Sequence, residues 1–144
     1  MEFRSVDTED AALEHLSSIG ADVSVLAGGT DLVLQHSRGE VAARAMLHIG
    51  RVRSLRHVTV VDGAMHLGAI VTHIDLQRDS KVTKRFPALA EAAATVGGWQ
   101  TQAAGTIGGN VCNASPAADT LPPLLVADAQ VELASTRGLS LIHI

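Results

Sequence analysis

The sequence predicts an α+β fold in two unequal parts: a small βαβ unit, then a larger mixed or antiparallel sheet with helices. Three observations carry this expectation. Val23 to Ala27 is a β-branched run ending at Gly28-Gly29, and a helix-like Leu32-Val33-Leu34 separates it from a second apolar run, Met46 to Ile49; strand, helix, strand is the pattern of a βαβ unit. Asp62-Gly63 stands between Val58–Val61 and Met65–Ile70, the strongest hairpin signal in the chain, because Asp-Gly supplies the positive φ of a type I′ turn. The 144 residues, 47% hydrophobic and 18% charged, have the length and composition of one globular domain. Phe3, Phe86 and Trp99 are the only aromatic residues, so the core must be aliphatic.

The elements follow in order. Ala12, Leu16 and Ile19 fall on one helical face, which predicts a helix over 7–19 with Asp7 or Thr8 as its cap and Gly20 as its stop. The strand at 23–27, the helix from Leu32 and the strand at 46–49 complete the first part. The character changes after Arg56, where the hairpin begins. Thr72-x-x-Asp75 resembles a capping box with Asp in the usual Glu position. A further helix is expected from Pro87 through Ala94, with Gly97-Gly98 at its end. Gly105 to Pro116 reads as a loop, Pro122-Pro123 as the start of a short helix over 124–127, and Val131-Glu132-Leu133 as a strand. Trp99 and Val96 are expected to pack inside, and Cys112 is read as a small packing residue.

Several function classes are excluded or unsupported. A formal charge of −4 without a basic stripe or stacking aromatics argues against nucleic acid. No apolar run approaches the roughly 20 residues that span a bilayer, and Met-Glu-Phe-Arg is not a signal-peptide start, so the expected compartment is the cytoplasm. The single Cys112 cannot form an internal disulfide or a CxxC metal site. No two glycines are separated by one residue, so no GxGxxG fingerprint exists, and Gly63 and Gly68 are followed by Ala69 rather than the Lys of a phosphate-binding P-loop. HExxH, GxSxG and EF-hand patterns are missing too. The histidines are scattered without metal-ligand spacing. Arg51, Arg53 and Arg56 form a small basic cluster, either a solvated turn or a docking edge. No catalytic acid, base or nucleophile and no metal ligand is assigned.

Two glycine pairs remain. Gly28-Gly29 lies in Leu26-Ala27-Gly28-Gly29-Thr30-Asp31-Leu32, and Gly108-Gly109 in Thr106-Ile107-Gly108-Gly109-Asn110. Consecutive glycines let successive backbone N–H groups face one concavity, a nest for phosphate oxygens that needs no lysine. Thr30, Thr106 and Asn110 would add side-chain donors. Either pair taken alone is more commonly the mark of a tight turn.

LAGGTDL (26–32) and GTIGGNVCNASPAAD (105–119), in this order, resemble the two flavin loops of the FAD subunit of molybdenum hydroxylases. That family includes the medium subunit of aerobic carbon monoxide dehydrogenase and the FAD domain of xanthine dehydrogenase. Leu67 to Thr72 and Phe86 to Ala92 also follow its pattern, and the resemblance runs to about Gly138. It implies a two-subdomain FAD-binding fold of the PCMH or molybdopterin-dehydrogenase type, with 1–56 as the small N-terminal subdomain and 57–138 as the first part of the second. Leu26, Ala27, Gly28, Gly29, Thr30, Asp31 and Leu32, with Thr106, Ile107, Gly108, Gly109 and Asn110, would cradle FAD. Asp119 matches a carboxylate near the cofactor, where a bond to a sugar or ribityl hydroxyl suits an anion better than phosphate does; by itself it is equally a helix cap.

The implied role is electron transfer. Substrate is oxidised at a molybdenum cofactor on a large partner subunit, electrons pass through [2Fe-2S] clusters on a small partner subunit, and FAD on this chain hands them to an acceptor. A flavin reductase of the enolpyruvyl-UDP-acetylglucosamine reductase type shares AGG and GGN loops, and a non-enzymatic assembly module is a third reading. One departure is Gln102-Ala103 where many members carry Arg-Asn. A complete family subunit is about twice this length, and the closing residues Leu139 to Ile144 are what CTG-TCT-CTT-ATA-CAC-ATC, a transposase sequencing adapter, encodes. The chain is therefore expected to be a C-terminally truncated fragment, inactive alone, with 139–144 an artefactual tail.

Overall fold

The computed structural model describes residues 2–144. The first part is a parallel sheet of three strands, β1 (Glu2–Ser5), β2 (Val23–Leu26) and β3 (Ala45–His48), in the order β1-β3-β2. Helix α1 (Glu9–Ile19) joins β1 to β2, and α2 (Leu32–Ser37) lies between β2 and β3. Thr8 caps α1 through its side chain, and Gly20 ends it at φ 76°. β3 is central and entirely apolar at its first residues: Ala45, Met46 and Leu47 are buried, as a strand flanked on both edges requires. Leu47 and Val52, with Val6 and Ala12, form the core of this part, and Leu55 packs against them.

β1 is the element that patterning does not reveal. Glu2, Phe3, Arg4 and Ser5 are all exposed, so no alternation marks them. They join the sheet through backbone pairing with β3, from Glu2↔Ala45 to Ser5↔His48.

The hairpin β4 (Val58–Val61) and β5 (Ala64–Leu67) forms around Asp62-Gly63. Both turn residues have positive φ, 49° and 84°, as the type I′ turn demands. Helices α3 (His73–Arg78), α4 (Ser80–Arg85) and α5 (Pro87–Thr95) follow. The capping box at α3 is complete: the Thr72 hydroxyl accepts from Asp75 N–H, and the Asp75 carboxylate accepts from Thr72 N–H at 3.0 Å. Asp79 caps α4 by accepting from Lys81 and Val82 N–H. Val71, Leu76, Val82, Leu89, Ala93, Ile107 and Leu124 make the second core, with Val58 and Met65 of the hairpin packed against it.

Three sequence expectations fail here. The stretch 105–116 is not a loop: Ile107–Asn113 is helix α7, and Trp99–Ala104 is helix α6 before it. Thr106 caps α7 by accepting from Gly109 N–H, and Ile107 is buried in the second core. Capping and burial therefore outweigh the low helix propensity of Gly108 and Gly109. Trp99 is not a core residue either. It is 65% exposed at the start of α6, because leucine, valine and alanine side chains close the core without it. Cys112 is likewise exposed on α7 rather than packed, and Val96 is half-buried.

The chain ends with α8 (Leu121–Val126) and an antiparallel hairpin of β6 (Gln130–Ser135) with β7 (Gly138–His143). Pro122 and Pro123 occupy the first turn of α8, where no N–H is needed. Every residue of β7 is exposed.

Candidate functional site

The segment Leu26–Leu32 leaves the carboxyl end of β2 and turns into α2. Ligands of α/β units gather beyond the carboxyl ends of their strands, and the backbone donors of this turn suit such a place. The N–H groups of Ala27, Gly28, Gly29, Thr30, Asp31 and Leu32 donate no hydrogen bond among the described residues, whereas Val33 N–H reaches Gly29 O at 3.2 Å. Six consecutive residues of the chain thus present donors without acceptors. All except Asp31 are partly shielded from solvent. Unpaired amide groups in a half-buried turn favour an anionic ligand, because the alternative is an incompletely hydrated donor. Thr30 Oγ1 lies 3.3 Å from the Asp31 carboxylate and donates to it.

Gly28 explains how this turn meets the second glycine segment. A Cβ there would overlap the carbonyl group of Ala104 and approach Gly105 Cα at 3.1 Å. The backbone of the first segment therefore rests directly on the α6–α7 junction. One side-chain tether reinforces the seam: Gln35 Nε2 of α2 donates to Asn113 Oδ1 of α7 at 3.1 Å.

The second segment differs from a nest. Ile107 N–H donates to Val71 O at 2.9 Å, Gly108 N–H to Ala69 O at 3.0 Å, and Asn110 N–H to Thr106 O at 2.9 Å. Gly109 N–H is held by the Thr106 hydroxyl at 3.1 Å. These donors are engaged, so the segment cannot act as a second row of amide groups. Gly108 has a packing reason: a Cβ would lie 2.6 Å from Ala69 O and 2.9 Å from Ala69 Cβ. Gly109 instead is exposed, and the only neighbour its Cβ would meet is Thr106 Oγ1 at 3.0 Å. Asn110 offers a side chain: Thr120 Oγ1, fully buried, donates to Asn110 Oδ1. That bond uses the amide oxygen and leaves the N–H₂ group as a donor.

Asp119 stands exposed between two buried residues, Ala118 and Thr120. Its backbone is anchored while its carboxylate makes no hydrogen bond or ion pair among the described residues. Motif reading passes over one further residue. His73, the first residue of α3, is 2% exposed, and its Nδ1 is buried without a partner. Its backbone N–H donates to Gly105 O at 3.1 Å, and Gly105 lies over the ring, where a Cβ would come 3.1 Å from Cδ2. Burial pushes the His73 pKa below its ordinary value, and the Asp119 charge opposes that shift. The one sequence signal for His73 is its position beside the Thr72 cap.

Gln102, at the departure from the Arg-Asn pattern, is used internally. Its Nε2 donates to Ala94 O at 2.9 Å, and its Oε1 accepts from Gln77 Nε2 at 3.1 Å. It ties α6 to α5 and α3 instead of reaching toward a ligand. The basic cluster is also partly spent: Arg51 pairs with Asp7 at 2.8 Å, and Arg56 makes two bonds of 3.0 Å to Asp75.

Comparisons with known proteins bear on the family and the fold. The family model "FAD binding domain in molybdopterin dehydrogenase" matches residues 1–144. The xanthine dehydrogenase FAD-binding subunit of Escherichia coli O157:H7 is 36% identical over 121 residues, covering 83% of this chain and 41% of its own length. The nicotinate dehydrogenase FAD-subunit of Eubacterium barkeri is 32% identical over 115 residues, 80% of this chain and 39% of its own. Among solved structures, the carbon monoxide dehydrogenase of Hydrogenophaga pseudoflava lacking the Mo-pyranopterin moiety superposes with a TM-score of 0.95 at 26% identity. The match covers 99% of this chain and 50% of that one. The chain spans less than half the length of these curated relatives. On the motifs, the fold and the match along its whole length, the chain belongs to the family of FAD-binding domains of molybdopterin dehydrogenases.

Proposed function

We propose that this chain is the FAD-holding part of an electron-transfer subunit of a molybdenum hydroxylase. It would receive electrons from the [2Fe-2S] clusters of a small partner subunit, while substrate is oxidised at the molybdenum cofactor of a large one. The observation that carries the proposal is the unpaired row of N–H groups from Ala27 to Leu32, resting through Gly28 on the α6–α7 junction. The residues present fit the cofactor, though unequally. Ala27 to Leu32 supply backbone donors for a pyrophosphate. Gly109 supplies a surface without a side chain, and Asn110 supplies an amide held by Thr120. Thr106, Ile107 and Gly108 act behind this surface, fixing α7 against the 69–72 segment. Asp119 is assigned to a cofactor hydroxyl.

FAD, when bound, supplies the redox chemistry, taking and giving electrons singly or in pairs. The protein's work is binding and orientation. In this reading the seam would bring donors from two distant segments to one cofactor, and half-burial would limit competition from water. No side chain of this chain is assigned as a catalytic acid or base. Residues 1–56 and 57–138 are assigned to two subdomains; Leu55 packs on the first core and Val58 on the second. Cytoplasmic location and inactivity of the chain without its partner subunits belong to the same proposal.

Flavin titration tests it. FAD added to the chain should show quenched flavin fluorescence, and a chain extended to the relatives' length should copurify with FAD and with large and small subunits. Recovery of the extended protein colourless and alone, with FAD supplied, would overturn the proposal.

A further inference from the structure

Trp99 is the largest side chain of the molecule, and the core makes no use of it: it is 65% exposed. Phe3 on His48 is the only stacked aromatic pair among the described residues, so the indole meets no other ring. Its place in the fold is specific. Trp99 opens α6 and Ala104 closes it, six residues later in all, which is a length of about 9 Å. At the far end the Ala104 carbonyl lies against Gly28, within the turn whose N–H groups from Ala27 to Leu32 are unpaired. The indole therefore stands one short helix away from those donors. Gln100, Ala103 and Ala104 are exposed along the same helix, whereas Gln102 is turned inward to Gln77 and Ala94. Helical side chains lean toward the N-terminus, which is here the exposed turn Gly97-Gly98. Beyond its chain neighbours, a Cβ on Gly98 would meet only Gln100 Oε1 at 3.6 Å, so this shelf is open. From Ala92 to Ala118 the chain has no Asp, Glu, Lys, Arg or His. The flank of α6 is thus uncharged, while the turn at its end suits an anion.

We propose that Trp99 is the stacking platform for an aromatic ring of the molecule whose phosphates occupy the Ala27–Leu32 turn. The phosphates lie at the carboxyl end of α6, the ligand runs back along its exposed flank, and the ring rests on the indole beside Gly97 and Gly98. This inference rests on the cofactor reading above and adds a contact which that reading lacks. A molecule with an anionic centre and a neutral planar end matches both ends of the surface. FAD has two such rings, isoalloxazine and adenine, each joined to the pyrophosphate through a polyol or sugar. The shared chemistry is a neutral planar heterocycle, and stacking accepts either because both present a π-face. The contact asks for no rearrangement of the fold, since the indole is already exposed.

The single tryptophan makes the test direct. Binding of FAD, FMN and ADP is measured by calorimetry in the unaltered chain, Trp99→Ala and Trp99→Phe. Trp99→Ala should weaken FAD binding about tenfold, as for loss of one stacked base, at an unchanged urea midpoint, and Trp99→Phe should keep most of the affinity. A loss seen with FMN and not with ADP assigns the isoalloxazine to Trp99, and the reverse assigns the adenine. Saturating FAD should also protect Trp99 from 2-hydroxy-5-nitrobenzyl bromide, with the modification read by mass spectrometry. Unchanged FAD affinity in Trp99→Ala, or an indole that reacts equally with FAD bound, overturns the stacking and leaves the cofactor reading in place. If the unaltered chain binds no FAD, the cofactor reading and the stacking fall together.

Discussion

Gly28 and Ala104 meet backbone to backbone, so closely that any side chain on Gly28 would enter the Ala104 carbonyl group. The seam between the two glycine segments has no room for even one methyl. Gly28→Ala should therefore open it, with a stability loss of about 1–3 kcal/mol, the usual result of overpacking, and with loss of FAD retention. Urea unfolding and flavin fluorescence check the two effects, and wild-type values in both would remove the seam from the binding site.

The second glycine pair divides into a packing residue and a surface residue. Gly108→Ala places a methyl against Ala69 O, at 2.6 Å, and should destabilise the chain by about 1–3 kcal/mol whether or not FAD is present. Gly109→Ala meets only the Thr106 hydroxyl and gains helix propensity of roughly 0.5–1 kcal/mol. It should keep or raise the melting temperature while weakening FAD binding. Thermal melts with and without FAD separate the two.

Arg56 and Asp75 should make stability depend on pH. Burial pushes the Asp75 pKa up, but the Arg56 bond and the Thr72 N–H and hydroxyl outweigh it and hold it below 3.8. A depressed carboxyl stabilises the fold fully above its unfolded pKa, and this contribution is lost as pH falls through the lower folded value. Arg56→Ala should cost about 0.5–1 kcal/mol at neutral pH, since the guanidinium side is largely solvated. The difference from the unaltered chain should shrink below pH 4. Urea midpoints at pH 7 and pH 3 provide the check.

His73 should produce a separate step at higher pH. Its folded pKa lies below 6.5, so the folded state binds the proton less readily than the unfolded chain. Its stabilising contribution is complete above 6.5 and declines as pH drops through the interval down to the folded value. Unfolding measured from pH 7.5 to pH 5 should show this decline, and His73→Gln should remove it.

Trp99 supplies an optical control. At 65% exposure the only tryptophan should emit at long wavelength and be quenched readily by iodide. Trp99→Phe should change stability by no more than about 0.5 kcal/mol, as for surface substitutions generally. Blue-shifted, protected emission from the isolated chain would contradict its placement at the start of α6.

The signals that could be read in the sequence were those in which a local motif and its tertiary setting agree. Asp62-Gly63, Thr8 and Gly20 around α1, and Thr72-x-x-Asp75 all fold as their local chemistry demands. The first glycine segment was also legible, because a glycine pair after a strand has little else to become. α7 was not. Gly108-Gly109 is locally a turn, and only the buried Ile107 and the bonds from Ile107 and Gly108 to Val71 and Ala69 make it a helix. β1 carries no buried residue to mark it. Composition misplaces Trp99: scarcity of aromatics makes an aromatic conspicuous, and it does not make it buried. His73 lies beyond sequence reading because its neighbour Gly105 is brought to it by the fold.

The Gln35–Asn113 tether joins residues 78 apart in sequence. Closing a flexible loop of that length costs on the order of 4 kcal/mol in chain entropy, against about 0.5–1.5 kcal/mol from one exposed hydrogen bond. The tether therefore records an encounter that it did not cause. Contacts so distant in sequence slow folding more than they add stability. A molecule bridging both segments acts on the same quantity from the other side, raising the melting temperature in proportion to the logarithm of its concentration over its dissociation constant. With FAD bound as proposed, the persistence of the seam would be set by the cofactor as much as by the chain.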